Sequence, residues 1–340
     1  MKGKKVMVQI EDLIDIAVEK NASDIHLVIG KPPMLRINGA ITPLYGFAAI
    51  DSSAVGVICK SIIESGSSGS ITRLEQSGDM DVAYSVAASD GCPDIYTRCN
   101  IFRHSGGTGI AMRLIPSAIP HMNDLRIPAS VKRLSMEQHG LIIISGPTGS
   151  GKTTTIASLI NNINAKRACH ILTIENPIEY RFPQGQAIVS QREIGTHCSD
   201  FSSGLKAAMR EDPDVILVGE LRDADTVSTA LAAAEAGHLV FATLHAANVI
   251  EAIDRLPQYF PASARKQVHH ELANSFRGII AQRLITNMDS SRQAIFEVLL
   301  RNDATVNIIR NNEAHKLADY MTHDGMQTFS MAYSHVQGAS

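Results

Sequence analysis

The sequence predicts an α/β protein with two domains, a small mixed α+β domain and a larger domain built on a mostly parallel sheet. Helix-like and strand-like patterns are mixed up to residue 115, whereas from residue 141 short apolar runs alternate with helix-like segments. Between the two patterns lies a stretch with two prolines, which is typical of a linker. We therefore expect domains at 1–115 and 123–340, joined by a linker at 116–122.

In the first domain, apolar side chains recur at both helical and strand spacing. Within residues 8–20 five apolar residues share one face and predict an amphipathic helix; they are Ile10, Leu13, Ile14, Ala17 and Val18. Strands are predicted where short apolar segments end at turn residues or alternate with polar ones. These segments lie at 24–30, 35–39, 79–86 and 96–102.

In the second domain, four apolar runs are the predicted strands, and they lie at 141–144, 170–174, 215–218 and 239–244. Apolar residues at helical spacing follow the first run. An alanine-rich helix at 226–236 ends before Gly237, a residue suited to a helix C-terminus. Apolar strands that alternate with helices predict a parallel sheet covered on both faces.

Composition excludes several classes of protein. Of the 340 residues, 44% are hydrophobic and 19% are charged, which argues against disorder. The net charge of −3 gives no electrostatic reason to expect nucleic-acid binding. Because no run of 18 apolar residues occurs, we expect a cytoplasmic protein that meets a membrane only through partners.

The cysteines form no CxxC pair, which predicts reduced, buried thiols. They are Cys59, Cys92, Cys99, Cys169 and Cys198.

The firmest functional signal is a glycine-rich loop between the first predicted strand of the second domain and the helix that follows. Glycines let backbone N–H groups close around phosphate oxygens at the positive end of that helix. Lys152 is expected to reach the β- and γ-phosphates of ATP, and the Thr153 hydroxyl to ligate Mg²⁺. The alternative is a chance glycine-rich turn, but the strand–loop–helix context favours nucleotide binding. The predicted nucleotide-binding residues are Gly146, Pro147, Thr148, Gly149, Ser150, Gly151, Lys152, Thr153 and Thr154.

Further candidate residues follow the other predicted strands. Glu220 comes one residue after the run at 215–218. It is a candidate general base, and it is also expected to contact Mg²⁺ through water. The alternative is an ordinary solvated acid at the end of a strand. Glu175 and Glu179 flank a proline turn and suit metal or water positioning, or an ordinary acidic turn. His245 ends the fourth strand, where a histidine contacts the γ-phosphate or has a structural role.

Three arginines lie on or near predicted strands of the first domain: Arg98, Arg103 and Arg113. Such side chains are usually surface charges. The alternative is that they stabilise the charge on a nucleotide held by a neighbouring subunit. The sequence pattern by itself favours the surface role.

Taken together, these stretches resemble the secretion-ATPase superfamily, and most closely the PilT-type retraction ATPases of type IV pili. The similarity extends over nearly the whole chain, and it thins at about 45–75 and after 285. The stretches that carry it are 22–27, 31–36, 142–153, 171–179, 210–223 and 237–245.

The resemblance implies a PAS-like N-terminal domain followed by a RecA-like P-loop ATPase domain with a helical C-terminal part. It identifies the glycine-rich loop as a Walker A motif and residues 175–179 as the Asp box. Glu220 falls in an atypical Walker B motif that lacks the usual strand-end Asp. His238 and His245 fall in the His box.

The resemblance also implies an assembly and a function. The family forms homo-hexamers with ATP between subunits, and Arg98 and Arg113 match arginines that reach across the ring. Hydrolysis would drive pilus retraction and twitching motility. Expected partners are the inner-membrane platform protein and the pilus assembly ATPase, and no nucleic acid is expected. The chain would lie at the inner membrane through this machine.

Three departures from the family pattern leave alternatives open. Asn176 stands where the Asp box usually has an acid, and a third arginine expected near 105–106 is absent, with Arg103 nearby. In the C-terminal retraction motif, which corresponds to 305–312, Arg310 is kept but Asn312 replaces an acid, while the following 325–329 matches. The absence of a tetracysteine zinc motif favours retraction over pilus extension.

The alternatives are an ATPase of a type IV secretion or conjugative apparatus and a non-hydrolysing nucleotide-dependent scaffold that regulates a partner motor. Asn176 and Asn312 motivate the scaffold. A DNA translocase is a weaker hypothesis, because the chain is slightly acidic and has few aromatic residues on which bases could stack.

Overall fold

A computed structural model describes residues 9–65, 74, 77–86, 95–115, 118–286 and 292–337. The chain divides into two compact units, Met1–Ala118 and Ile119–Ser340. The division falls inside the predicted linker, of which residues 116 and 117 lie outside the described residues. Each unit has its own hydrophobic core.

The first unit is a six-stranded sheet with two helices among the described residues. The strand order is β3-β2-β1-β6-β5-β4, and every neighbouring pair is antiparallel. The elements are α1 Ile10–Glu19, β1 Asp24–Val28, β2 Met34–Ile37, β3 Ala40–Pro43, α2 Ser52–Ser65, β4 Asp79–Val86, β5 Ile95–His104 and β6 Gly107–Leu114.

The helix α1 buries the predicted stripe with one exception. Its buried residues are Ile10, Leu13, Ile14 and Ala17, whereas Val18 is 44% exposed, so the prediction for Val18 was wrong. At about 100° per residue, Val18 lies roughly a quarter turn from the centre of the stripe. Burial alternates along β4 and β5 as predicted, and on β5 the side chain of Arg98 points away from the face that buries Cys99.

The second unit contains the following described elements: α3 Ala129–Leu134, β7 Gly140–Ser145, α4 Lys152–Lys166, β8 His170–Glu175, β9 Ile188–Glu193, α5 Phe201–Ala208, β10 Val215–Val218, α6 Ala224–Glu235, β11 Leu239–Leu244, α7 Val249–Gln258, α8 Arg265–Ser275, β12 Phe276–Thr286, β13 Arg292–Leu300, α9 Asp303–Arg310, a 3₁₀ turn Ala314–Lys316, α10 Leu317–Tyr320 and α11 Phe329–Gln337.

These strands form a seven-stranded sheet in the order β13-β12-β7-β11-β10-β8-β9. All neighbours are parallel except β12 and β13, which form an antiparallel pair at one edge. The four predicted strands are present, and both faces of the sheet are covered by buried clusters. The hairpin β12–β13 was not predicted, and it extends the sheet before the C-terminal helices begin.

Helix starts in this unit differ in one respect that matters for the site. Side chains of Asp200, Asp223, Asn248 and Asn302 cap α5, α6, α7 and α9 by accepting a backbone N–H. The starts of α3 and α8 have no side-chain cap, and neither does that of α4, which follows Gly151, a residue without a side chain. The first N–H groups of α4 are therefore open to an external acceptor.

The described helices include none that is long and apolar enough to cross a membrane. Of the cysteines, Cys59 and Cys99 are buried and Cys169 and Cys198 are half-buried, all four without a disulfide. Burial raises the pKa of Cys59 to about 11 and that of Cys99 to about 12. Cys92 lies outside the described residues.

Candidate active site

The glycine-rich loop joins β7 to α4, as predicted. Gly146, Gly149 and Gly151 have φ values of 150°, 78° and 86°, which glycine adopts readily. A Cβ at Gly146 would meet the carbonyl oxygen of Gln282 and the Ser150 hydroxyl. The backbone path of the loop therefore requires glycine for both its conformation and its close packing.

The loop has the features of an anion site. Residues 147–149 are exposed, and the start of α4 next to them has no side-chain cap. The buried Oγ of Ser150, within the loop, has no hydrogen-bond partner in the described part of the chain. Free N–H groups at a helix start and an unsatisfied hydroxyl, which can donate, suit a phosphate chain.

Lys152 is buried at the first position of α4. Its Nζ donates to the carbonyl oxygens of Gly146, at 2.7 Å, and of Pro147, at 3.0 Å, so the ammonium group lies over the loop. Burial lowers the pKa of Lys152 below its usual range, and the carboxylates of Glu220 and Glu179 oppose that shift. Thr153, the candidate Mg²⁺ ligand, follows at the second position of α4 and is half-buried.

Glu220 lies just past the end of β10, beside the end of β11. Its Oε1 is 3.3 Å from Nε2 of His245, and its Oε2 accepts a hydrogen bond of 2.5 Å from Nε of Arg222. The Glu220 side chain is 17% exposed, so water reaches it although it is largely enclosed. The structure thus brings Lys152, Glu220 and His245 to one edge of the sheet.

Packing explains why a glycine stands where other P-loop enzymes have a strand-end acid. A Cβ at Gly219 would lie 3.0 Å from the carbonyl oxygen of Ile174 and 3.1 Å from the ring of Phe201. Thr243 donates to the carbonyl oxygen of Gly219, and the N–H of Leu221 donates to Thr243 at 3.0 Å. These bonds fix the backbone on both sides of Glu220 against β11.

The two acids of the Asp box lie in different surroundings. Glu175 is buried at the end of β8, where its Oε1 accepts from Thr173 at 2.7 Å and from Gln191 at 3.1 Å. Burial raises the pKa of Glu175, and these hydrogen bonds oppose the rise. Glu179 is exposed, and its charge acts on both Glu175 and Lys152. Asn176, which replaces the usual acid, is exposed.

A tyrosine that the sequence reasoning did not single out connects the Asp box to the P-loop helix. The Tyr180 hydroxyl lies 3.0 Å from Oγ1 of Thr154. Gln191 on β9 donates to the carbonyl oxygen of Tyr180 at 2.8 Å and to Glu175. The segment after β8 is therefore bonded to α4 on one side and to β9 on the other.

Gln282 on β12 is a second residue that was missed. It is buried, and its Nε2 donates to the carbonyl oxygen of Ser150 at 2.8 Å. A Cβ added to Gly151 would lie only 2.9 Å from Nε2 of Gln282, so the amide leaves no room for a side chain at that position. A glutamine directly after the apolar run 278–281 was the available signal, because a buried polar side chain needs a partner.

A cleft of about 360 Å³ adjoins the loop, on the side of β12 and β13. Its lining includes Gly151, Thr154, Leu125, Leu284 and Arg126. The guanidinium of Arg126 is held by a 2.8 Å hydrogen bond to Oε1 of Gln293. Polar and charged residues outnumber apolar ones in this lining, so the cleft offers a nucleoside hydrogen-bonding groups as well as apolar contacts.

Other predicted residues lie elsewhere. His238 is at the start of β11, the opposite end from His245, and its Nδ1 is 2.7 Å from the carbonyl oxygen of Pro213. The two His-box histidines therefore do not meet.

In the first unit Arg98 and Arg113 are paired in register on β5 and β6. Their guanidinium groups lie 3.6 Å from Asp81 and 3.0 Å from Asp24, respectively. Arg103 is exposed near the end of β5.

The departure at Asn312 has a local structural reason. Asn312 follows α9 with φ 58°, and its N–H donates to Ile309 while that of Glu313 donates to Ile308, each at 3.0 Å. This is a Schellman termination, in which asparagine is favoured over most other residues except glycine. Arg310, the retained residue, donates to Oδ1 of Asn274 at 3.2 Å.

Comparison with known proteins identifies relatives of the whole chain. Residues 2–336 match the family described as Type II/IV secretion system protein. The uncharacterized protein YggR of Escherichia coli K12 is 38% identical over 96% of this chain and 98% of its own length. The type IV pilus retraction ATPase PilT of Pseudomonas aeruginosa is 35% identical over 95% of this chain and 92% of its own length.

Among solved structures, the pilus retraction motor PilT with bound ADP has a TM-score of 0.89 and 39% identity, and the match covers 98% of this chain and 94% of that one. This match confirms the predicted fold class, an α+β N-terminal domain followed by a P-loop ATPase domain. The chain belongs to the Type II/IV secretion system protein family, and it is a PilT-like, nucleotide-binding P-loop enzyme that hydrolyses ATP.

Proposed function

We propose that this chain is a hexameric cytoplasmic motor that uses ATP and Mg²⁺ to power type IV pilus retraction. The observation that carries the proposal is the placement of Lys152, Glu220 and His245 around an uncapped helix start. The similarity to PilT proteins of pilus retraction and twitching motility supports the direction of work.

In this proposal each residue has a defined task. Lys152 leaves the carbonyl oxygens of Gly146 and Pro147 and binds the β- and γ-phosphates, together with the loop N–H groups. The cleft beside the loop holds the nucleoside. Water attacks the γ-phosphorus, the bond to the β–γ bridging oxygen breaks, and Glu220 accepts the proton of the water.

The two oxygens of Glu220 are not equally available for that proton. Oε2 is engaged by Arg222 at 2.5 Å, a short charge-assisted hydrogen bond. Oε1 has a longer contact of 3.3 Å with His245. We assign Oε1 as the oxygen that meets the attacking water, with His245 at the γ-phosphate, and Glu175 and Glu179 as groups that position water or metal.

The Mg²⁺ site is assigned to oxygen ligands at the junction of loop and helix. Thr153 would supply its hydroxyl, and Glu220 would contact the ion through water; such hard oxygen donors suit Mg²⁺. When bound, Mg²⁺ neutralises charge that develops on the phosphate oxygens. Thr153 follows Lys152 directly, so both side chains lie at the same helix start.

We further propose that Arg98 and Arg113 stabilise charge on the nucleotide of a neighbouring subunit in the ring. Their pairs with Asp81 and Asp24 involve exposed guanidinium groups, at 42% and 72% exposure. The Arg98–Asp81 pair is exposed on both sides and contributes about 0–1 kcal/mol, so Arg98 can leave it for a phosphate. Asp24 is buried, but it keeps Arg36 at 3.7 Å as a second partner when Arg113 turns to a phosphate. The proposed partners are the inner-membrane platform protein and the pilus assembly ATPase, and contact with the inner membrane is made through them.

Experiments in cells test whether the protein drives pilus retraction. A strain that lacks this protein is expected to be hyperpiliated and unable to retract pili, and wild-type chain should restore retraction whereas Lys152→Ala should not. Lys166→Ala, at the far end of the same helix α4, is the matched control and should restore it. Normal retraction in the deletion strain would assign the motor to another machine, such as a type IV secretion apparatus.

Ring formation is tested with purified protein. Light scattering is expected to give the mass of six chains with nucleotide, and Arg113→Ala should lower ATP turnover while each chain still binds ADP. A monomer that turns over ATP at the full rate would contradict the shared site.

A further inference from the structure

The segment 325–329 is one of the stretches in which the sequence resembles the family, yet no part of it lies in the site described above. It is held against the edge strand β13. The N–H of Gln327 donates to the carbonyl oxygen of Val298 at 3.1 Å, and the N–H of Val298 donates back at 2.8 Å. The Gln327 side chain also donates to Phe296 at 2.8 Å. These bonds place Phe329, the first residue of α11, over the β12–β13 hairpin.

Two charged residues of this hairpin contact Phe329. Glu297 stands opposite Ala281 in the register, so Arg283, two residues further along β12, is its diagonal neighbour on the same face. The guanidinium of Arg283 lies 4.2 Å from the centre of the Phe329 ring, a cation–π contact. The carboxylate of Glu297 accepts a hydrogen bond from the backbone N–H of Phe329.

The same two residues hold the loop that follows His245. Arg283 donates to the carbonyl oxygen of Ala247 at 3.0 Å, and Glu297 accepts the N–H of Val249 at 2.7 Å. Glu297 therefore lies at the starts of both α7 and α11, where a negative charge is stabilised by the helix dipoles. Burial raises the pKa of Glu297, and these N–H donors and Arg283 oppose the rise.

We propose that Arg283 and Glu297 are positioning residues that fasten the Phe329 segment to the loop after His245 and so set the contact between His245 and Glu220. Ala247 is only two residues from His245, and Asn248 caps α7 immediately after it. A shift of Phe329 is thereby passed to His245 through the side chains of Arg283 and Glu297. This inference rests on the proposed role of His245 and extends it to the C-terminal part of the chain.

The test is a double-mutant cycle on purified enzyme. Phe329→Ala and Glu297→Gln are each expected to lower kcat about tenfold, because small misplacements near reacting groups have effects of this order, with KM for ATP changed less than about twofold. Tyr333→Ala, exposed on the same helix α11, is the matched control and should keep the wild-type kcat. Repeated in a His245→Ala background, Phe329→Ala and Glu297→Gln should cause no further loss.

Hydrogen exchange gives a second readout that does not depend on turnover. In Phe329→Ala the amides of residues 246–249 should exchange faster, while those of β7 stay protected. Equal losses of kcat in both backgrounds, or unchanged exchange at 246–249, would overturn the inference and indicate a general structural effect. If His245→Ala and Glu220→Gln both kept the wild-type kcat, the proposed site itself would be wrong.

Discussion

Nε2 of His245 lies 3.3 Å from Oε1 of Glu220, a contact that joins the ends of the neighbouring parallel strands β10 and β11. The backbone around Glu220 is fixed by bonds to Thr243, and the carboxylate itself is held by a 2.5 Å hydrogen bond from Arg222. A carboxylate held in this manner, within reach of water, is suited to general base catalysis.

Replacing Glu220 by Gln should therefore separate binding from hydrolysis. Glutamine keeps the shape of the side chain but cannot accept a proton at neutral pH, so kcat should fall about 10²- to 10⁴-fold. The Kd for ADP should change less than about threefold. Steady-state turnover and calorimetry measure the two quantities, and Glu313→Gln, in a surface pair with Lys316, is the control. A variant as active as wild type would falsify the assignment.

Replacing Gly146 by Ala should disrupt the loop itself. The new Cβ would meet backbone at Gln282 and the Ser150 hydroxyl, at a φ that alanine rarely adopts. We expect the Kd for ADP to rise more than about tenfold and stability to fall by about 2 kcal/mol or more. Gly237→Ala has the same kind of φ but open space around it, and should lose only about 1 kcal/mol without any change in Kd.

Replacing Gln282 by Leu tests the support of the loop from β12. The carbonyl oxygen of Ser150 would lose its donor inside the protein, which is expected to lower the free energy of unfolding by about 1–3 kcal/mol. The Kd for ADP should rise as the loop loosens. Urea unfolding and calorimetry measure both, and Gln267→Leu, on the exposed face of α8, is the control. Loss of stability with unchanged Kd would show that Gln282 supports only the fold.

The buried Glu175 predicts a pH dependence of stability. Since burial raises its pKa, the folded protein favours the protonated form, and the stability that Glu175 contributes is lost as pH rises through the raised pKa. Glu175→Gln keeps an acceptor for Thr173 and Gln191 but has no charge to bury. The variant should match wild type in acid and become the more stable protein as pH rises above the usual glutamate range, as thermal unfolding at a series of pH values would show. A stability difference that is constant with pH would contradict this.

The meeting of Glu220 and His245 beside the loop after β7 could be predicted, because parallel strands end at a common edge. Polar residues placed just after apolar runs, such as Glu220 and His245, necessarily approach the loop that follows β7. His238 shows that residues of one sequence motif need not lie in the same site. It belongs to the same box, but six strand residues separate it from His245, and at about 3.3 Å per residue this takes it to the other end of the sheet.

The hairpin β12–β13 could not be predicted, because its burial follows no simple alternation. On β12 five residues in a row are buried, from Gly278 to Gln282. Such a run fits a buried strand or a helix segment equally well. The contacts of Gln282 with Ser150 and of Arg283 with Ala247 join segments more than 30 residues apart, and no local pattern encodes them.

Nucleotide bound at the uncapped start of α4 should stabilise the fold. Every ligand that binds only the native state raises stability with its concentration, by about 2.7 kcal/mol at a hundred times Kd. The open N–H groups after Gly151 and the buried Ser150 hydroxyl are satisfied best when an anion is present. The lifetime of the chain against proteolysis should therefore increase with the cellular concentration of adenine nucleotides.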